Sequence, residues 1–131
     1  MTTGTQCGTI LVVDDNLDVR TFAKRFLETA GWTVVTAADG EEGLRFYAEH
    51  QASIVLLLTD VVMPNINGFE LADRVLRMDS QLPVLLMSGD DWAAYRGFEC
   101  LAKPFRSSEL LDKVSRAVHA DTHAERASPA A

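Results

Sequence analysis

The stretch LLLTDVVMPNINGFEL, residues 56–71, decides the fold. An apolar run ends on an acid, Asp60, and a turn with Met63 and Pro64 follows before Gly68. A continuous apolar run is typical of a strand that is buried on both faces of a parallel sheet. An acid at the end of such a strand risks burial without a partner, which costs free energy. Asp60 therefore either caps the next helix or takes part in chemistry.

Strands and helices are predicted to alternate along the whole chain. Short apolar runs predict five strands, at residues 9–13, 32–37, 53–58, 83–87 and 98–102. Between them the apolar residues recur at helical spacing, and a last helix is predicted over residues 107–119 behind a Ser107 cap. This alternation predicts an α/β fold with an open, doubly wound, five-stranded parallel sheet. Only about ten residues separate the fourth and fifth strands, so we expect a shortened fourth helix.

The length and composition indicate one ordinary globular domain. A chain of 131 residues, with 47% apolar and 24% charged residues, is long enough to bury a single core. We expect the domain at residues 9–119, after a disordered extension at 1–8 and before a flexible tail at 120–131. The sequence has neither an apolar run of transmembrane length nor a secretory signal pattern, so we expect a cytoplasmic protein.

Charge and cysteine spacing exclude several classes of site. The net charge of −7 argues against nucleic-acid binding, which depends on clustered Lys and Arg. Cys7 and Cys100 show neither the CxxC nor the His-partnered spacing of a zinc site, and no disulfide framework is indicated. We therefore expect both cysteines to be structural or incidental.

The residues that end the strands are predicted to meet at one edge of the sheet, because ligands of open α/β sheets bind outside the carboxyl ends of the strands. These ends carry three acids, one hydroxyl and one ammonium group, from Asp14, Asp15, Asp60, Ser88 and Lys103. Taken singly, Asp15 or Asn16 could simply cap the first helix, Ser88 could cap the short fourth helix, and Lys103 could be an ordinary surface lysine.

Taken together, these groups predict a metal-assisted phosphoryl site. Three carboxylates at one edge repel one another and raise each other's pKa unless a cation joins them. A set of oxygen ligands favours a hard ion such as Mg²⁺, which also takes a phosphate oxygen. Mg²⁺ and a lysine together neutralise a transferring phosphoryl group. The remaining acid is then a candidate nucleophile that forms an aspartyl phosphate.

Four segments resemble the motifs of the receiver domains of two-component response regulators. LVVDDN, LLLTDVVMPNING, VLLMSG and LAKPF occur in family order, and the resemblance covers residues 9 to about 119. It implies the flavodoxin-like strand order 2-1-3-4-5. It also implies a phosphoacceptor signalling domain, with self-catalysed phosphotransfer and autodephosphorylation, rather than an enzyme.

The resemblance implies how the phosphoryl group is handled. Asp60 would accept it from the phosphohistidine of a histidine kinase. Lys103 would pair with the phosphoryl oxygens, and the Ser88 hydroxyl would donate to one of them. The bond between Lys103 and Pro104 would be a cis peptide.

The resemblance also implies the metal ligands. Asp15, Asp60 and the backbone carbonyl of Val62 would bind Mg²⁺ directly, and Asp14 would act mostly through water. Val62 lies where the family tunes hydrolysis of the phosphoaspartate. Because its apolar side chain cannot orient a water molecule, we expect slow self-dephosphorylation.

The implied partners are a sensor histidine kinase or phosphotransfer protein and a downstream protein target, with neither nucleic acid nor membrane, in a monomer or weak dimer. A stand-alone regulator and the receiver of a hybrid histidine kinase both agree with the sequence. The alternative is a receiver-fold binding module that is not phosphorylated. A haloacid dehalogenase-type phosphatase needs DxDx[TV] where this chain has DDNLD. A flavodoxin-like cofactor binder is disfavoured because the acids would repel the FMN phosphate.

The chain departs from the family pattern in two places, of which the first is the interval from Ser88 to Lys103, shorter than in the usual receiver. Cys100 stands where receivers have Tyr or Phe, the aromatic residue that swings inward when the hydroxyl residue engages phosphate. Either Cys100 simply packs at an edge strand, or the aromatic function has moved to Tyr95 or Phe98. With Trp92, these two aromatics would form either core cover or an exposed contact patch.

Overall fold

The computed structural model describes residues 8–89 and 97–127, with the backbone alone for residues 120–127. The strands are β1 (Thr9–Val13), β2 (Thr33–Ala37), β3 (Ile54–Asp60), β4 (Val84–Ser88) and β5 (Glu99–Ala102). The helices in the described ranges are α1 (Leu17–Thr29), α2 (Gly40–His50), α3 (Gly68–Met78) and α4 (Ser107–Ala127). The predictions for Cys7, Trp92, Tyr95 and the short helix between β4 and β5 lie outside the described residues.

The five strands form one parallel sheet in the order β2-β1-β3-β4-β5, which confirms the predicted fold. Val13 is paired with Thr59 across β1 and β3, and Asp60 is paired with Met87 across β3 and β4. The order of the strands reverses between β1 and β3, and ligands of such sheets bind at this switch point. The residues that follow β1 and end β3 therefore lie side by side.

Alternate side chains of each strand enter two apolar cores, one on each face of the sheet. Ile10 and Val12 pack on the face covered by α1 and α4. Leu11 and Val13 point to the other face, into a core that we call the α2–α3 cluster, which comprises Leu11, Val13, Ala37, Tyr47, Ile54, Leu57, Met63, Ile66, Leu71, Ala72, Val75 and Leu82. Burial on both faces explains why the strand sequences are continuously apolar.

Polar side chains fix where the first three helices begin. Asn16 caps α1, Asp39 caps α2 and Asn67 caps α3, each by accepting hydrogen bonds from backbone N–H groups of the first turn. Because Asn16 has this role, Asp15 is not needed as a cap. The side chain of Asp15 is exposed at the edge of the sheet.

The last helix differs from the sequence prediction at both ends. Ser107 is its first residue rather than its cap, and the N–H group of Arg106 donates to Glu109 Oε1 over 2.7 Å. The helix continues past residue 119 to Ala127. The sequence allows this extension, because the added segment is rich in Ala and contains neither Gly nor Pro. In the described part of the chain, α4 and the other helices are too short or too polar to span a membrane.

Cys100 packs in β5, the edge strand next to β4. It is half-buried and contacts a small cluster of Val61, Phe69 and Leu86, which Phe98 also contacts. The rings of Phe69 and Phe98 lie 6.3 Å apart. These contacts agree with the packing interpretation of Cys100, and they place an aromatic side chain next to it.

Candidate functional site

Three acids meet at the carboxyl edge of the sheet, as the sequence predicted. Asp14 follows β1 with a fully buried side chain, Asp60 is the buried last residue of β3, and Asp15 is exposed beside them. One carboxylate oxygen from each of the three lies within 4.8 Å of the others. The topology produces this cluster, because β1 and β3 are neighbours and end at the same level.

Lys103 joins the acids from across the sheet. It follows β5, and its Nζ lies 2.9 Å from Asp14 Oδ2 and 3.1 Å from Asp60 Oδ1. Its backbone N–H donates to the carbonyl oxygen of Ser88 over 2.9 Å, and its bond to Pro104 is cis, as predicted. The ammonium group therefore bridges the two buried carboxylates.

Burial and crowding shift the protonation of this site. The pKa of Asp60 is raised, first by desolvation and then by the charge of Asp14, although Lys103 and the Val61 N–H partly offset the rise. Burial lowers the pKa of Lys103, but the hydrogen bond and charge of Asp14, with the charge of Asp60, raise it overall. The folded protein therefore keeps Lys103 positive and makes the charged form of Asp60 costly.

Backbone groups hold the two buried carboxylates in place. Asp14 Oδ1 accepts from the Asn16 N–H over 2.8 Å, and Asp60 Oδ1 accepts from the Val61 N–H over 3.0 Å. Arg20 Nη1 also donates to the backbone carbonyl of Asp14 over 2.7 Å. Sequence reasoning missed this contact of Arg20. The sequence signal that could have identified it was the position of Arg20, five residues after Asp15 and close to the start of α1.

Ser88 and Val62 lie on the segments that the sequence predicted. Ser88 is the buried last residue of β4, next to the strand that carries Asp60. Val62 lies in the loop after β3, and 64% of it is exposed. The contact of Ser88 with a phosphoryl group and the metal-binding role of the Val62 carbonyl stay predictions.

The donor set fits a hard divalent cation. The clustered atoms are carboxylate oxygens, the ligands that Mg²⁺ prefers. Among the described residues, Asp60 Oδ2 accepts no hydrogen bond, whereas Oδ1 accepts from both Lys103 and Val61. One oxygen of Asp60 is therefore held by the protein, and the other is available to an incoming electrophile.

Comparison with known proteins identifies relatives that cover most of this chain. A family model described as the response regulator receiver domain matches residues 10–115. The DNA-binding transcriptional regulator NtrC of Azospirillum brasilense is 37% identical over 121 residues, which are 87% of this chain and 25% of NtrC. The response regulator receiver protein CpdR of Brucella abortus is 33% identical over 114 residues, 82% of this chain and 93% of CpdR.

A solved structure agrees with these relatives. The receiver domain of the hybrid histidine kinase CckA matches with a TM-score of 0.75 and 36% identity, over 85% of this chain and 99% of that domain. The chain spans 24% to 55% of the length of the first curated relatives that it matches. The likeness therefore concerns the receiver domain and not the remaining parts of those longer proteins.

Proposed function

The chain belongs to the response regulator receiver domain family, and we propose that Asp60 accepts a phosphoryl group from the phosphohistidine of a histidine kinase in a Mg²⁺-dependent reaction. One observation carries this proposal. Asp60 ends a buried strand with Oδ1 held by Lys103 and the Val61 N–H, while Oδ2 has no hydrogen bond among the described residues. A nucleophile held at one oxygen and open at the other suits in-line attack.

In the proposed transfer, Asp60 Oδ2 forms a bond to phosphorus while the bond between phosphorus and the donor imidazole nitrogen breaks. That nitrogen keeps the electron pair of the broken bond. The ammonium group of Lys103, 3.1 Å from Asp60 Oδ1, lies close enough to move onto a phosphoryl oxygen as negative charge spreads over it. The Ser88 hydroxyl, at the end of the neighbouring strand, would donate to a second oxygen.

The metal would be held by Asp14, Asp15, Asp60 and the backbone carbonyl of Val62. When bound, Mg²⁺ neutralises charge on the phosphoryl oxygens. The ammonium group of Lys103 contacts both Asp14 and Asp60 and offsets the repulsion between their carboxylates. As the resemblance to receiver domains implies, Asp14 would act on the ion mostly through water.

The protein would act as a reversible signalling switch in the cytoplasm. A sensor histidine kinase or phosphotransfer protein would supply the phosphoryl group, a downstream protein target would read it, and autodephosphorylation would reset the domain. A stand-alone regulator similar to CpdR and the receiver of a hybrid kinase similar to CckA both fit this role. The exposed, apolar Val62 cannot orient a water molecule, so we propose slow hydrolysis.

The test is the intact mass of the protein after incubation with acetyl phosphate and MgCl₂. Wild type should gain one phosphoryl group, and Asp60→Asn should gain none. Asp73→Asn is the matched control, because Asp73 is an exposed acid on α3, away from the acid cluster. It should be phosphorylated to the same extent as wild type.

Two outcomes would contradict the proposal. Phosphorylation that persists in Asp60→Asn would place the acceptor elsewhere. A wild type that stays unmodified with acetyl phosphate, and also with a phosphorylated histidine kinase as donor, would favour a receiver-fold binding module. A chelator added before acetyl phosphate should prevent phosphorylation of wild type.

A further inference from the structure

The loop at residues 61–67, between β3 and α3, is closed at its base. The carbonyl oxygen of Val61 accepts from the N–H group of Gly68 over 2.8 Å. A Cβ atom on Gly68 would lie 2.2 Å from the carbonyl oxygen of Asp60, so the two chain segments touch without room for a side chain. The loop therefore begins and ends in direct contact with the residue that carries the nucleophile.

Two apolar side chains anchor the middle of this loop. Met63 and Ile66 are buried in the α2–α3 cluster. Ile66 lies directly against Gly40, the first residue of α2, where a Cβ atom would come within 2.8 Å of Ile66 Cβ and 3.0 Å of its carbonyl oxygen. The absence of a side chain at Gly40 thus creates the space that Ile66 occupies.

We propose that Ile66, packed against Gly40, is a positioning residue for the metal and phosphoryl site. This inference rests on the proposed function, in which the Val62 carbonyl is a ligand of Mg²⁺. The Val62 side chain is mostly exposed and contributes little to holding the loop. The path of the backbone at Val62 therefore depends on the buried side chains of the same loop, which include Met63 and Ile66. Mg²⁺ demands near-ideal octahedral geometry, so a small shift of one ligand weakens its binding.

The test compares Ile66→Ala with Ile54→Ala. Both isoleucines belong to the α2–α3 cluster and are almost equally buried, with 7% and 5% exposure. Ile54, however, is the first residue of β3, at the opposite end of the strand from Asp60. Each substitution removes the same atoms from the same core, so the losses of stability should be similar. Only Ile66→Ala removes a buried side chain from the loop at residues 61–67.

The readout is the Mg²⁺ dissociation constant, measured by isothermal titration calorimetry with MgCl₂ on folded protein. Ile66→Ala should weaken binding about tenfold, the usual scale for residues that orient metal ligands. Ile54→Ala should stay within about twofold of wild type, since it lies far from the ligands. Gly40→Ala, which pushes on Ile66 from α2, should weaken binding as Ile66→Ala does. If an alanine variant does not fold, Ile66→Val and Ile54→Val form the milder pair.

The outcomes separate this inference from the proposed function. Equal Mg²⁺ affinity in the Ile66 and Ile54 variants of a protein that still accepts phosphate would overturn the positioning role alone. A wild type that neither binds Mg²⁺ nor accepts phosphate would overturn the proposed function. Hydrogen exchange at the Gly68 N–H then decides whether Ile66 fixes the loop. Faster exchange in Ile66→Ala than in Ile54→Ala would support that role, and equal exchange would reject it.

Discussion

Ion pairs occur in two different environments of this molecule, the carboxyl edge of the sheet and the outer surfaces of the helices. At the edge, Lys103 lies 3.1 Å from Asp60, and on α3 Arg77 lies 3.0 Å from Asp73. The distances are nearly equal, yet Asp60 is buried while 76% of the Arg77 side chain and 64% of that of Asp73 are exposed. The comparison teaches that burial, and not the distance between the charged atoms, decides how much an ion pair contributes to the free energy of unfolding.

Water accounts for this contrast. An exposed pair gains little, because water and salt screen its charges and two long side chains lose freedom. Asp14 and Asp60 are buried and have lost most of their hydration, so their charged forms depend on Lys103, whose side chain is only 25% exposed. At the acid edge, by which we mean the carboxyl edge of the sheet with Asp14, Asp15, Asp60 and Lys103, burial and the charge of Asp14 therefore make the charged form of Asp60 costly.

Removal of the Lys103 ammonium group should have the largest effect. Lys103→Met leaves the fully buried Asp14 beside Asp60 without a counter-charge. Because 25% of the Lys103 side chain is exposed, the loss should be about 2 to 3 kcal/mol, below the range of about 3 to 5 kcal/mol for a fully buried pair. Lys24→Met is the matched control, because Lys24 pairs with Glu28 on α1 with 46% and 45% of the two side chains exposed. It should cost under about 1 kcal/mol. Urea denaturation at pH 7 measures both free energies of unfolding.

Addition of Mg²⁺ sharpens this comparison. If the loss in Lys103→Met comes from uncompensated carboxylates, MgCl₂ should narrow the difference in the free energy of unfolding between Lys103→Met and wild type. The difference between Lys24→Met and wild type should stay the same, because both proteins keep the intact acid cluster. Equal losses in the two lysine variants would mean that burial does not distinguish the two groups of ion pairs. Phosphorylation of Lys103→Met with acetyl phosphate should also be strongly reduced.

Neutralisation of Asp60, the proposed nucleophile, should have an intermediate effect of the opposite sign. The pKa of Asp60 is raised above its ordinary value in the folded state, first by burial and then by Asp14. Its contribution to stability is therefore full below the ordinary aspartate pKa and is lost as the pH rises through the raised pKa. Asp60→Asn removes this loss and should stabilise the protein at pH 8 by about 1 kcal/mol, a typical stabilising increment.

The pH dependence checks the cause of this stabilisation. The advantage of Asp60→Asn should shrink as the pH falls below the raised pKa, because the wild-type carboxyl then becomes neutral as well. Thermal unfolding of both proteins at several pH values in the absence of Mg²⁺ measures it. An advantage that is independent of pH would point to packing rather than charge.

Much of the acid edge could be predicted from the sequence, because each of its residues ends or follows a strand that a short local pattern identifies. An apolar run followed by an acid marks a strand end, and parallel topology brings such ends together. Asp14, Asp15, Asp60 and Lys103 were found in this way, and the structure places their charged groups together. Contacts that depend on how individual side chains pack were not predicted in this way.

Three features escaped prediction because they depend on side-chain conformation and packing. The hydrogen bond from Arg20 to the Asp14 carbonyl requires the arginine to fold back over the first turn of α1. The hydroxyl group of the buried Tyr47 has no hydrogen-bond partner among the described residues, which no local pattern indicates. The fit of Ile66 against Gly40 joins segments that are far apart in the sequence.

The smallest effect is expected for the pair on α3, measured as a double-mutant cycle with Arg77→Ala, Asp73→Ala and the double variant. The coupling should be about 0.3 to 0.5 kcal/mol, and it should fall further in 1 M NaCl, where the screening length is about 3 Å. A cycle is needed because Arg77, in the last turn of α3, also interacts favourably with the helix dipole, so Arg77→Ala alone overstates the pair. A coupling well above 1 kcal/mol would show that an exposed pair can match a buried one. The acid edge would then need an explanation other than its exclusion of water.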